Sequence, residues 1–182
     1  MGIQDIRLLL TDVDGILTND KIYLSDENEW VQFDVQDGIG QRLAACGGLT
    51  VGWLSGRVSK PVSLRAKHLN VAYLLQGKLD KVVAAEKLCD QLDLKLSEVA
   101  YMGDDIIDLP LLQSVGFSAT VPGGRAEVKK AVDYVTKTPG GEGAFREVVE
   151  KILKAQGKWK KALLKFNQTN QKNSETSHDV FS

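Results

Sequence analysis

The sequence predicts an α/β fold, a mostly parallel sheet with helices on both faces, and three observations carry that reading. Short apolar runs of strand length alternate with longer segments of helical length. The connections between them are short, so consecutive parallel strands must be joined by right-handed helical crossovers. Acidic, glycine-bearing or hydroxyl-bearing residues follow the strands at their carboxyl ends, where ligands of such sheets gather.

Residues 6–11 form a short apolar run closed by an Asp/Gly cluster, the pattern of a buried central strand. Residues 21–24 and 30–33 are β-prone and flank the turn-rich stretch 25–29, which predicts a hairpin. A helix over about 38–46 precedes a strand at 49–55. The remainder alternates: helix 59–69, strand 71–75, helix 79–92, strand 99–102, helix 106–114, strand 116–119, and a last core helix from 144 to about 156. One domain over residues 1–157 follows. Beyond it, Trp159, Ala162, Leu163 and Phe166 recur at helical spacing beside Lys158, Lys160, Lys161 and Lys165. This basic amphipathic segment either packs on its own domain or docks on a neighbouring subunit or an acidic surface. Residues 167–177 hold no large apolar side chain and read as disordered, so 158–182 is a segment and tail apart from the domain.

With 182 residues, 23 Lys+Arg against 24 Asp+Glu and 43% apolar content, the chain is long enough to bury a core without staples. Its near-neutral charge lacks the basic footprint of a nucleic-acid binder, so any anion must be held locally. Cys46 and Cys89 lie far apart and the histidines are His68 and His178 alone, which excludes a disulfide framework and a Cys/His zinc site. An apolar run of the roughly 18 residues that span a bilayer is absent, and residues 1–10 do not read as a signal peptide. The expectation is a cytoplasmic protein with no membrane partner. His68, Cys46, Cys89 and Trp53 read as surface or packing residues; Trp30, on the hairpin, packs or lies in a subunit interface.

The chemistry concentrates at the strand ends. In Asp12-Val13-Asp14-Gly15, extended backbone points residues two apart to one side, so two carboxylates converge. Like charges held together call for a cation, and magnesium, with its oxygen ligands, suits them. A second acidic group, Gly103-Asp104-Asp105 with Asp108 one turn on, follows the strand 99–102. Between them, Ser55-Gly56-Arg57 offers a hydroxyl, accessible amides and a guanidinium. Gln76-Gly77-Lys78-Leu79-Asp80-Lys81 places ammonium groups at a helix start, where they oppose the helix dipole and so suggest a negative partner across the site. Lys78 is equally well a solvated surface lysine.

The ordered set Asp12-x-Asp14-Gly15, Ser55, Lys81 and Gly103-Asp104-Asp105-x-x-Asp108 resembles the four motifs of the haloacid dehalogenase superfamily of phosphotransferases. With Gln76-Gly77, Met102 and the late Gly140-Gly141-Glu142-Gly143-Ala144-Phe145-Arg146-Glu147, residues 6–157 look like the 3-deoxy-D-manno-octulosonate 8-phosphate phosphatases. The resemblance implies a Rossmann-like haloacid dehalogenase fold with a β-hairpin insertion. It implies that Asp12 attacks phosphorus to form an aspartyl-phosphate, while Asp14 protonates the leaving sugar and then activates water. Mg2+ would be held by the Asp12 carboxylate, the Asp14 backbone carbonyl and Asp104, supported by Asp108 and Asp105. Ser55 and Lys81 would bind the phosphoryl oxygens. Asp34, Val35, Gln36, Asp37 and Gly38, with Arg57 and Arg65, would contact the acidic sugar; Arg42 assists them or is solvated.

Positions 12, 55, 81 and 104 are separated by 43, 26 and 23 places, too few for a cap domain of roughly 50 residues. A capless site is open, and the resembling family closes it as a homotetramer through hairpins and C-terminal segments, which implies a tetramer here. Asp34 and Gln36 stand where the family carries Asn and Arg, and Glu142 where arginine is common. These departures raise a nine-carbon keto-acid phosphate as the second substrate beside the eight-carbon one of lipopolysaccharide precursor synthesis. Two other classes compete: a receiver domain, whose phosphoacceptor would follow the third strand where this chain has Leu75-Gln76-Gly77, and a catalytically idle tetramerisation domain.

Overall fold

A computed structural model describes residues 2–176. Six parallel strands form one sheet in the order β5-β4-β1-β6-β7-β8. These are β1 (Leu8–Thr11), β4 (Thr50–Leu54), β5 (Tyr73–Leu75), β6 (Val99–Met102), β7 (Phe117–Thr120) and β8 (Tyr134–Val135). β1 lies between β4 and β6 with Thr11 opposite Trp53 on one side and Met102 on the other, so residues 12, 55 and 103–104 leave the sheet side by side.

Alternation along the strands sorts the core. Leu9, Val51, Trp53, Ala100 and Met102 face the layer of α1 (Val35–Gly47), α2 (Lys60–His68), α6 (Ala144–Ala155) and α7 (Trp159–Thr176). Leu8, Leu10, Leu54, Val99 and Tyr101 face α3 (Lys81–Leu92), α4 (Leu109–Leu112) and α5 (Ala126–Ala131). Burial on both faces explains why β1 and β6 read as continuous apolar runs rather than as alternating ones.

The hairpin forms, as β2 (Tyr23–Leu24) paired antiparallel with β3 (Glu29–Trp30), but each strand keeps two residues instead of the expected four. Helix α1 starts three residues before the expected position because the Asp34 side chain caps it, accepting from the Gln36 amide at 2.6 Å. Residues 35–38 are therefore its first turn. The expected helix 106–114 is a 3-10 turn, Ile106–Asp108, followed by the four-residue α4. α5 and β8 lie in a stretch where no element is expected; at six and two residues they are too short to carry a period.

α7 runs through Thr176, so residues 167–176 continue as helix where disorder is expected. The helix is nucleated by Trp159, Ala162, Leu163 and Phe166, which pack against the α1 and α6 layer, and the polar residues beyond extend it. Of the two dockings open to the basic segment, the structure has it on its own domain, with Arg42 over the Phe166 ring and Lys154 over the Trp159 ring. Ser177 and the residues after it lie outside the described ones. His68 and Trp30 are exposed, Cys89 and Trp53 buried, and Trp53 stacks on Phe33. Among the described residues no helix is long and apolar enough to cross a membrane.

Candidate active site

The chain leaves β1 at Asp12 and turns at once. One Asp12 carboxylate oxygen accepts from the Val13 amide at 2.7 Å, and Leu17 and Thr18 donate back to the Val13 carbonyl, closing a tight loop. Gly15 has φ +79°, and a side chain there would overlap the Asp104 carboxylate. The loop is braced from the far side by the 140–143 turn: Gly141 donates to the Ile16 carbonyl at 2.9 Å, and a side chain on Gly140 would collide with the Gly15 carbonyl. Glu147 anchors that turn in place by accepting from Tyr134, from the Lys137 and Thr138 amides and from the Thr138 hydroxyl. Burial alone would push the Glu147 carboxyl up, but these hydrogen bonds outweigh it and bring it down to about 2.

Lys81 is the first residue of α3 and is 3% exposed. Its ammonium donates to Asp12 Oδ2 and Asp108 Oδ1, both at 2.6 Å, and to the Tyr101 hydroxyl at 3.1 Å. The helix tolerates a cation at its start because Asp80 caps it, accepting from Val83. Tyr101 in turn donates to Asp108 Oδ1, and Asp108 Oδ2 accepts the amides of Asp104 and Asp105. Asp108 is thus fully committed to holding Lys81 and the 103–105 turn. Lys78, by contrast, is exposed.

Carboxylate oxygens of Asp12, Asp104 and Asp108 lie within 4.8 Å of one another. Burial, opposed by Lys81 and aided by Asp108, pushes the Asp12 carboxyl up to about 7; burial and the Asp12 and Asp108 charges do the same to Asp104. The Asp104 carbonyl accepts the Arg125 amide at 2.9 Å, but its carboxylate accepts no hydrogen bond among the described residues. One ammonium against three carboxylates leaves negative charge uncompensated, and an all-oxygen donor set of this kind fits a hard divalent cation. Asp105 is turned elsewhere: it accepts the Ile106 amide and sits 3.7 Å from Arg125, half exposed, so it does not face the cluster as the expected supporting residue.

Ser55, 2% exposed at the end of β4, accepts the Arg57 amide at 3.1 Å. Arg57 grips Asp14 with two groups, Nη2 to Oδ1 at 3.1 Å and Nε to Oδ2 at 3.4 Å, and reaches Glu29 with Nη1. The structure therefore joins Asp12, Asp14, Ser55, Arg57, Lys81, Asp104 and Asp108 at adjacent strand ends.

Arg57 apart, the residues expected to meet the sugar form a separate group around the start of α1 and α2, reaching the start of α6. Arg65 donates to the Asp34 carbonyl at 3.4 Å and lies over Phe33. Gln36 accepts from Arg146, Gly38 packs against Arg65, and Val35 is exposed. Asp37 is 4% exposed and accepts the Arg146 amide at 3.1 Å, so its carboxylate faces the start of α6 and not the acidic cluster. Burial pushes it up to about 7. A carboxyl raised from its ordinary 3.8 stabilises the fold fully below that value and loses the contribution as pH rises through about 7. Asp37→Asn keeps the acceptor for Arg146 without the charge. Its melting temperature should lie nearest wild type at about pH 4, draw ahead as pH rises toward 7, and exceed it by on the order of 5 °C at pH 8 in paired thermal melts.

Tyr101, Glu29 and the bracing role of Gly140 and Gly141 are not foreseen in the sequence. For Tyr101 a signal exists: it is the single polar-tipped side chain in the strand Val-Ala-Tyr-Met, and a buried hydroxyl needs partners. Glu29 carries none, since a charged residue beside a hairpin turn is ordinary.

A parallel α/β sheet with an acidic, lysine-bearing cleft at its central strand end defines a metal-dependent phosphotransfer or hydrolase class. The chain belongs to the haloacid dehalogenase-like hydrolases, whose family model matches residues 52–148. It is 39% identical over 156 residues to the 3-deoxy-D-manno-octulosonate 8-phosphate phosphatase KdsC of Escherichia coli K12, covering 85% of this chain and 83% of that protein. The enzyme of the same name from Moraxella catarrhalis, solved with magnesium, phosphate and KDO, superposes with a TM-score of 0.87 at 39% identity, over 90% of this chain and 95% of that one. The cobalt-bound Haemophilus influenzae phosphatase gives 0.83 at 38% identity, over 86% and 92%.

Proposed function

We propose that the protein is a magnesium-dependent phosphatase of an acidic keto sugar, 3-deoxy-D-manno-octulosonate 8-phosphate, and serves lipopolysaccharide precursor synthesis in the cytoplasm. The observation that carries this reading is the Asp12 carboxylate, fixed by Val13 and Lys81 and set beside Asp104, in a chain so close to phosphatases of that substrate.

Asp12 attacks phosphorus and the ester oxygen departs, giving an aspartyl-phosphate that water then hydrolyses. Asp14 gives its proton to the departing sugar oxygen and takes one from the attacking water. Ser55 and Lys81 bind the phosphoryl oxygens, for which Lys81 exchanges one of its three present partners. Asp12, the Asp14 carbonyl and Asp104 hold the Mg2+, with Asp108 fixing Lys81 behind them. The bound ion neutralises the carboxylates and the phosphate during transfer. Arg57 keeps N–H groups beyond those given to Asp14 and Glu29, and with Arg65 and the 34–38 turn it recognises the sugar carboxylate. Residues 1–157 form the capless phosphatase domain and 158–182 its C-terminal segment.

A phosphate-release assay tests this directly. With Mg2+ the eight-carbon sugar phosphate should be hydrolysed, chelation should abolish release, and the nine-carbon analogue should give a lower kcat/KM. Preference for the nine-carbon compound would transfer the assignment to it, a reading that Gln36 and Glu142 favour. Absence of release from any sugar phosphate would favour an idle assembly domain.

Ile22, Tyr23, Leu24, Trp30, Val58 and Leu64 are exposed apolar side chains on and beside the hairpin. Such a patch next to an uncapped site supports a homotetramer in which copies cover one another's clefts. Light scattering should give four times the 19.9 kDa chain mass; a fully active monomer would refute it.

A further inference from the structure

The hairpin carries one charged side chain that points into the site. Glu29, on β3, accepts from Arg57 Nη1 and from the Ser59 hydroxyl at 3.0 Å. Arg57 uses its other edge, Nε and Nη2, on both oxygens of Asp14. A guanidinium is planar and rigid, so fixing one edge fixes the direction of the other. Asp14 itself is about a quarter exposed and accepts no other hydrogen bond among the described residues, so Arg57 alone sets the direction of its carboxyl. Arg57 and Glu29 are half-buried, with side chains 32% and 20% exposed. The hydrogen bond from Arg57 holds the Glu29 carboxyl below its usual range.

We infer that Glu29 is a positioning residue for the hydrolysis: from the hairpin it holds Arg57, and through Arg57 it aims the carboxyl of Asp14 at the departing sugar oxygen. Resting on the phosphatase reading, this inference adds that the insertion is wired to the general acid and is more than a surface for other copies. Glu29→Gln keeps the shape and an acceptor for Ser59 but removes the charge that grips Arg57. Asp14 then protonates the leaving oxygen less efficiently, and the deficit grows as that oxygen becomes more basic.

Magnesium-loaded full-length protein and its Glu29→Gln variant are compared by kcat/KM on the sugar-acid phosphate and on aryl phosphates of graded phenol acidity. Nitrophenyl phosphate, whose leaving group needs little proton assistance, should lose no more than about 3-fold. Phenyl phosphate and the sugar phosphate should lose about 10- to 100-fold, within the range ascribed to general acids. The steepened dependence on leaving group is independent of the fraction of folded enzyme, so a partly unfolded variant still reports. An equal loss across the series, no loss, or a loss confined to the acidic sugar would each overturn the positioning role while leaving the phosphatase reading intact. Wild-type protein inactive on every ester would overturn that reading, and the inference falls with it.

Discussion

Asp12→Asn should reduce phosphate release by on the order of 10^4- to 10^6-fold, the scale at which removal of a covalent nucleophile is felt. The amide is isosteric and its one oxygen still accepts from the Val13 amide, which keeps the loop closed by Leu17 and Thr18; its NH2 cannot accept from Lys81, which keeps Asp108 and Tyr101 as partners. What disappears is the nucleophilic oxygen. Stability should move the other way or not at all: the Asp12 carboxyl is pushed up to about 7 chiefly by burial, so its ionised form is held at a disadvantage that the neutral amide escapes. Steady-state assays and thermal melts on the same preparation separate the two effects. A variant that melts like wild type and retains more than about one per cent of its turnover would show that phosphorus is attacked by something other than Asp12.

The part of this site that the sequence makes legible is the part fixed by strand ends. Asp12, Ser55 and Asp104 each follow an apolar run, and a parallel sheet brings such positions together whatever lies between them. Lys81 is legible for a different reason: a lysine opening a helix works against the dipole, and the structure resolves the conflict with two carboxylates and a capping Asp80. Side-chain relays leave no comparable trace. Glu29 meets Arg57 across 28 positions and Asp37 meets Arg146 across 109, and neither pair has a spacing that any local period could announce. Asp37 illustrates the consequence: its motif position gives no sign that its carboxylate is buried against the start of α6. The early start of α1 turns on the one capping hydrogen bond of Asp34, and the persistence of α7 on an apolar stripe at its beginning. Composition alone misses both.

Lys81→Met should be the most destabilising single substitution in the cleft, by about 3–5 kcal/mol at pH 8 without metal, because it breaks a buried ion pair by removing one side only. Methionine fills the space of the lysine stem, so little of the loss comes from packing. It comes from Asp12, Asp104 and Asp108, whose oxygens remain within 4.8 Å of one another with no cation between them. The pH dependence follows from the same charges. Asp12 and Asp104 already sit near 7 with Lys81 present, and removing a neighbouring positive charge raises them further. Carboxyls raised above their ordinary 3.8 stabilise the fold fully below that value and lose the contribution as pH climbs through about 7. The deficit of the variant should therefore be small near pH 5 and greatest at pH 8. Added Mg2+ should restore part of it at pH 8 and little at pH 5, where protons have already neutralised the cluster. Phosphate release should fall by about 10^2- to 10^3-fold even with saturating metal, since a phosphoryl oxygen loses its ammonium partner. Thermal melts of wild type and variant at the two pH values, each with and without Mg2+, provide the test. Equal melting temperatures at pH 8 without metal would mean that the cluster is neutralised in some way other than through Lys81.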